Sequence, residues 1–288
     1  MSGRFSGAGD DYGGFNPQQV VSADKQLERG FCPEYVVRRL FKPREGVWLA
    51  SDAKQIEYRI FAHFSNDADI LAQYATDPET DYHNIVQALL QKVDPNIGRK
   101  HTKIANFCKL FGAGLNKFAL QLGTITQAQF EDNNRKYSAR DRHKMREEPM
   151  LRPARDVYDA YERMFPAADR TLQRAKEIAA SRGYVKTFFG RRARFPKKQR
   201  LHSALNRVIQ GTAADINKVM LVDLYEKRHE FGLTFRLTVH DEFDGDLKDP
   251  GMLPKIQRWF NEQRVPLKIP ILWDAGVGPT WADAKGKA

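Results

Sequence analysis

Cysteine is almost missing: the 288 residues hold two, Cys32 and Cys108. That number and spacing exclude a disulfide framework and a thiolate metal site, and they suit a reducing compartment. No apolar run approaches the ~20 residues of a membrane span, and the N-terminus has no signal-peptide core. Acidic residues are in deficit, with 36 Asp and Glu against 47 Lys and Arg, a formal net charge of +11. Such an excess points to a polyanionic partner and says nothing about fold. There is no internal repeat. Apolar residues are also scarce at the start, where the first 14 residues contain five glycines. Irregular chain is expected there to about Pro17, with Arg4 as its one residue of interest.

What the sequence does have is centred on residues 233–247. Phe235, Leu237 and Val239 alternate with Arg236, Thr238 and His240, the period of a strand with one buried face. Two acids follow, Asp241 and Glu242, and neighbouring strand positions point to opposite faces, so one is turned to a site and the other supports it. Alone, such a pair is more often a solvated turn, and Asp244-Gly245 downstream is a turn signal. A second carboxylate changes the balance. Val47-Trp48-Leu49-Ala50 is an apolar strand that stops at Asp52, and Ile56, Ile60 and Phe64 then recur at helical spacing. Two acids on neighbouring strand ends can share a pair of divalent cations about 3.5–4 Å apart, as phosphoryl transfer requires. Mg²⁺ suits such a site because it binds through one or two carboxylates plus substrate phosphates.

Glu57 follows Asp52 by one helical turn or so, on a helix that also carries Gln55 and Arg59. Asp94-Pro95 reads as an N-cap and first helical residue, after which Arg99, Lys100, His101 and Lys103 crowd the first turns. Cations oppose the helix dipole at that end, and a bound anion removes the conflict. Arg99, Lys103, Phe107 and Phe111 recur every four residues, drifting about 40° per step, so cations and aromatic faces share one stripe. Either the stripe grips a nucleoside triphosphate, or the two Phe residues are core; spacing leaves both open. Residues 131–148 are charged without periodicity, a surface loop or solvated helical insertion. Val157, Tyr161 and Met164 mark one helix stopped near Pro166, and Leu172, Ala175 and Ile178 another ended by Gly183. An aromatic and basic turn, residues 184–192, leads to Arg194, Lys197, Lys198 and Arg200, a composition suited to a phosphate backbone. Gln210 to Asp215 opens a closely packing helix, and Leu267 to Gly278 reads as a strand held near a sheet edge by Pro270.

In this order the pieces resemble the polymerase domain of family A DNA polymerases, the bacterial DNA polymerase I and podovirus-type replicases. Asp52-Ala53-Lys54-Gln55-Ile56-Glu57-Tyr58-Arg59 looks like the first metal motif, and Arg99-x3-Lys103-x3-Phe107-x3-Phe111-Gly112 like the nucleotide-binding fingers helix. Thr187-x2-Gly190-Arg191-Arg192, Asn206-x3-Gln210-Gly211, Val239-His240-Asp241-Glu242 and Gly278-x2-Trp281 follow as in the family. The resemblance implies that Asp52, Asp241 and the Ala53 carbonyl hold two Mg²⁺ ions, with Mn²⁺ as a substitute, and that Glu242 supports them. It implies dNTP binding by Gln55, Glu57, His83, Arg99, Lys103, Phe107 and Phe111, with Lys103 as proton donor to pyrophosphate and Glu57 blocking a ribose 2′-hydroxyl. Arg4, Thr187, Arg191, Arg192, Asn206, Gln210 and His240 fall where the family touches primer-template DNA. Phe111 stands where the family usually has Tyr, Cys108 replaces a glycine, and His202 stands where an arginine is frequent.

The expected fold is α+β, an antiparallel palm sheet with a helical fingers subdomain and no thumb. Residues 1–33 form an irregular start of the palm, 34–65 palm with the first metal motif, 66–180 fingers with a charged insertion at 131–150, and 181–288 palm with the second metal motif and C-terminal strand. Gly3-Arg4-Phe5-Ser6 resembles a motif found after the thumb, so the expectation is the palm-fingers part of a split polymerase, completed by a second polypeptide supplying thumb and exonuclease. Its place would be the cytoplasm of a bacterial or phage-infected cell. The competing readings are a single-subunit RNA polymerase relative and a non-catalytic DNA-binding replisome scaffold.

Overall fold

The structure, a computed structural model, describes residues 16–284 apart from 31, 33–34, 93–94 and 139–140. Arg4 and Asp94 lie outside the described residues. In chain order the strands are β1 (Val47–Ala53), β2 (Tyr184–Lys186), β3 (Arg192–Arg194), β4 (Leu233–Val239), β5 (Glu242–Leu247) and β6 (Trp273–Gly278). The helices are α1 (Ala23–Glu28), α2 (Ile56–Ser65), α3 (Ala68–Thr76), α4 (Tyr82–Leu90), α5 (Arg99–Leu110), α6 (Leu115–Leu122) and α7 (Gln127–Lys136), then α8 (Arg142–Met145), α9 (Arg152–Met164), α10 (Pro166–Arg182), α11 (Ala204–Phe231), α12 (Leu253–Asn261) and α13 (Trp281–Ala284). The chain divides into two compact units, residues 1–59 with 210–288 and residues 60–209, and the division falls inside α2 and α11.

The first unit is built on an antiparallel sheet of order β4-β5-β1-β6. β1 is central, and its run of four consecutive buried residues reflects packing on both faces. Trp48 and Ala50 pack on one face against Val239, Trp281 and Ala284. Phe243, Phe260 and Trp273 form a second aromatic stack, with ring centroids 5.1–6.2 Å apart. Each such ring contributes about 1.5–3 kcal/mol by burial. Gly46 has φ +72°, and a Cβ there would meet the Leu247 carbonyl oxygen at 2.0 Å, so only glycine can lead into β1 beside the end of β5. Past β1, Arg59 is 2 % exposed and donates to the Lys54 and Pro270 carbonyls, both at 3.0 Å. That buried guanidinium locks the strand-to-helix junction that carries Asp52.

Among its described residues, the second unit has helices and one β2–β3 hairpin. Gly183, at φ +73°, ends α10 in the left-handed conformation, as its position after the last apolar residue predicts.

Several boundaries differ from the sequence expectation. Asp244-Gly245 is no turn: it lies in β5, all six of whose residues are buried, and the hairpin turns at His240-Asp241, where His240 takes φ +56°. The acids of β5 stay in the sheet because each finds a donor. Asp244 accepts from the Trp48 indole at 3.0 Å, and Asp246 accepts from the Arg236 guanidinium and the Arg44 backbone N–H. α5 begins at Arg99, five residues after Asp94 (99 − 94), with Pro95 and Asn96 in a turn. Gln55 precedes α2, at φ +49°. α11 starts at Ala204, before Gln210, so Asn206 and Gln210 share one helix. The last strand starts at Trp273 and Pro270 lies ahead of it, yet β6 does occupy a sheet edge. The charged stretch begins inside α7, which a capping box between Thr126 and Gln129 opens, and it includes the short α8.

Candidate active site

In the first unit, the sheet register assembles the acids. Asp52 lies opposite Glu242 on β5 and opposite Asp274 on β6, so all three side chains leave from the same face. Asp52 is exposed and Asp241 half-buried. The Asp241 carbonyl accepts from the Ala53 N–H at 3.1 Å, which ties the hairpin turn to the end of β1. α11 supplies a further constraint: Asn217 Nδ2 donates to Asp241 Oδ1 at 3.0 Å and to the His240 carbonyl at 3.2 Å. Glu242 is a different kind of acid. It is 2 % exposed, accepts from the Trp281 indole N–H at 2.7 Å, and lies 3.7 Å from the Arg38 guanidinium, which itself stacks 4.0 Å over the Trp281 ring.

Among the described residues no group of three or more His, Cys, Asp and Glu closes around one point. A cage of protein ligands is not what this end of the sheet offers. The donor set is two carboxylates and backbone oxygen without sulfur or imidazole, which fits a hard cation that keeps waters and substrate oxygens in its shell.

In the second unit, the α5 stripe is solvent-facing. Arg99, Lys103 and Phe107 are exposed, Phe107 by 40 %, so the reading of Phe107 as core is excluded. The Phe107 and Phe111 rings stack at 5.6 Å, and His83 lies 6.3 Å from Phe107. Asp81 caps α4 by accepting from the His83 N–H at 2.8 Å, and its other oxygen pairs with Arg99, which also reaches Asn84. This carboxylate relieves the cation at the start of α5. His83 is buried, and burial first, with Lys103 and Arg99 adding, lowers its pKa to about 4 against the opposing pull of Asp81. Its ring is therefore neutral at pH 7. Asn106 Nδ2 lies 2.9 Å from His83 Nδ1, and a neutral imidazole keeps one ring N–H, with which a hydrogen bond can be given to an anion without carrying charge.

The β2–β3 hairpin gathers Thr187, Arg191 and Arg192. Thr187 is buried, and its hydroxyl accepts from the Arg191 N–H at 3.1 Å, while Gly190 turns the chain at φ +84°. Arg192 stacks over Tyr184 at 4.7 Å and remains exposed. Beyond it, Lys197, Lys198 and Arg200 all have positive φ. Asn206 and Gln210, one turn apart on α11, are half-buried.

Sequence reasoning missed Asn217, Asn106 and the Arg38–Trp281 support of Glu242. The first carried a legible signal. Asn217 follows Gln210 by seven residues, two helical turns, and so lies on the same face of that helix. Arg38 and Trp281 are 243 residues apart (281 − 38), and nothing local connects them.

An antiparallel sheet thus presents two acids at one end, and a separate helical unit presents a basic and aromatic stripe. The DNA polymerase family A profile matches residues 29–283. DNA polymerase DpoZ of Salmonella phage PMBT28 is 32 % identical over 93 % of this chain and 42 % of its own length. The thermostable DNA polymerase I of Thermus aquaticus is 27 % identical over 86 % of this chain and 29 % of its own length. The POL domain of Pol1 from M. smegmatis, solved in complex with DNA primer-template and dNTP, superposes with TM-score 0.75 at 24 % identity over 99 % of this chain and 47 % of that one. This chain belongs to DNA polymerase family A. It spans less than half the length of these relatives. No helix among the described residues is long and apolar enough to cross a membrane.

Proposed function

We propose that this chain carries the catalytic palm and fingers of a DNA-directed DNA polymerase, which transfers a dNMP to a primer 3′-hydroxyl under the direction of a template. The observation that supports this best is the 3.1 Å bond from Ala53 N–H to the Asp241 carbonyl, which holds the Asp52 and Asp241 strand ends together. Asp52, Asp241 and the Ala53 carbonyl would hold two Mg²⁺ ions, or Mn²⁺ in their place. When bound there, the ions supply a lowered pKa at the primer hydroxyl and charge neutralisation at the departing pyrophosphate.

The protein's own groups do the rest. Arg99, Lys103 and the ring N–H of His83 bind the triphosphate, which competes with Asp81 for Arg99. Lys103 gives its proton to the leaving pyrophosphate, and Phe107 packs on the incoming sugar and base. Gln55 lines the nucleotide site, and Glu57 excludes a ribose 2′-hydroxyl. Thr187, Arg191, Arg192, Asn206, Gln210 and His240 contact primer-template DNA, Arg191 and Arg192 through phosphates. The remaining grip on duplex DNA comes from a thumb, whether supplied by a second polypeptide or by further sequence.

The test is single-nucleotide primer extension with Mg²⁺, on this chain alone and with a thumb-bearing polymerase fragment added in trans, offering dNTP and rNTP in parallel. Extension with dNTP that Asp241→Ala or Asp52→Ala abolishes, with circular dichroism unchanged, is the expected result. DNA binding without extension in any setting, unaffected by Asp241→Ala, would instead establish a scaffold.

A further inference from the structure

Resting on that reading, we infer that Asn217 is a positioning residue: its buried side-chain amide fixes the rotamer of Asp241 and thereby sets the affinity of the site for divalent cations. Asn217 is 5 % exposed, on the face of α11 turned to the His240-Asp241 turn. One nitrogen serves two acceptors of that turn, Asp241 Oδ1 at 3.0 Å and the His240 carbonyl at 3.2 Å. The double contact falls at a turn with an uncommon backbone. His240 has φ +56°, a left-handed conformation that a non-glycine residue keeps only where the surroundings hold it. An amide bonded to the carbonyl of this residue and to the carboxylate of the next holds the turn and aims the carboxylate at once.

Oδ1 takes the amide proton, and this neutral donor orients Asp241 without itself bringing a positive charge to it. A Lys or Arg in place of Asn217 would orient it as well, but would compete with a cation for its charge. Partners of this type, one step removed from the ion, change metal affinity or activity 10- to 100-fold when removed.

The experiment uses the full chain and Mn²⁺ as the probe. Asn217→Leu keeps the volume and deletes the donor, so a cavity does not enter. Binding of Mn²⁺ is read by electron paramagnetic resonance, alongside melting temperature, dNTP KM, and the Mg²⁺ midpoint of primer extension. The expected result is a rise of at least tenfold in the Mn²⁺ dissociation constant and in the Mg²⁺ midpoint, with dNTP KM unchanged at saturating Mg²⁺. A smaller rise overturns the inference, because a merely structural Asn217 lowers the melting temperature without moving either metal titration. Should Asn217→Leu fail to fold, Asn217→Ala carries the same expectation. A wild-type chain that binds no Mn²⁺ and extends no primer, alone or with a thumb-bearing fragment, refutes the polymerase reading itself, an outcome separate from the behaviour of Asn217.

Discussion

Replacing Glu242 by Gln tests whether an acid adjacent to the proposed metal ligand serves chemistry or architecture. Its carboxylate is 2 % exposed and receives the Trp281 indole proton at 2.7 Å. A glutamine keeps an oxygen in that place, so the indole bond survives the substitution. What is lost is the charge facing Arg38, itself 5 % exposed and 3.7 Å away. Removing one member of a buried pair costs about 3–5 kcal/mol, and the long separation here puts the loss at the lower end, about 3 kcal/mol. For a chain of this size each kcal/mol moves the melting temperature by about 2–4 °C, giving a fall of about 6–12 °C. Melting by circular dichroism reads that fall, and single-turnover dNTP incorporation at 15 °C, where the variant remains folded, should change by less than about threefold. Trp281→Phe provides the complement: it removes a charge-assisted hydrogen bond worth about 1.5–3 kcal/mol and the indole that Arg38 and Trp48 stack on. A variant Glu242→Gln that melts like the wild type yet incorporates nucleotide a hundredfold more slowly would refute this reasoning and put Glu242 among the reacting groups.

Stability should depend on the protonation of His83. Its folded pKa, about 4, lies below the unfolded value of 6.5, so the unfolded chain binds more protons between them. The contribution is complete above pH 6.5 and is lost as pH falls toward 4; at 1.36 kcal/mol per unit, reduced for solvent screening, it amounts to about 2 kcal/mol. Urea denaturation across that range should show a slope that His83→Gln flattens, and an equal slope in the variant would refute the assignment. Phe107→Ala should cost about 1 kcal/mol or less by urea denaturation, because the ring is 40 % exposed, and should raise dNTP KM about tenfold or more if a base or sugar packs there. An unchanged KM would remove Phe107 from the nucleotide site.

The elements that position the candidate site were legible where one local pattern governs them. Alternation along Phe235, Leu237 and Val239 marks β4, and the apolar run ending at Asp52 marks β1 followed by α2. The four-residue repeat of α5 is legible too, but not its exposure, since spacing cannot tell an aromatic stripe facing solvent from one facing the core. Placement was lost where a non-local partner overrides a local signal. A helix start at Asp94-Pro95 yields to Arg99, whose charge is met by Asp81, 18 residues earlier.

β5 shows the same competition most clearly, and explains why the two acids of the site differ from their neighbours. Glu-Phe-Asp-Gly-Asp-Leu has the composition of a turn, with three carboxylates in six residues, but it is a fully buried strand. Glu242, Asp244 and Asp246 are held in the interior because Trp281, Trp48, and Arg236 with the Arg44 N–H donate to them, and Arg38 faces Glu242 at 3.7 Å. Each of these donors lies at least ten residues away along the chain, so a reader of local sequence sees the cost of burial and none of the compensation. Asp52 and Asp241 are built on the opposite plan. They sit on the rim of the same sheet, more exposed than the β5 acids, and the donor identified at Asp241 is the uncharged amide of Asn217. The acids along β5 are met by arginines and indoles, whereas the acid at its end receives the Asn217 amide, a donor that orients a carboxylate without bringing a positive charge to it.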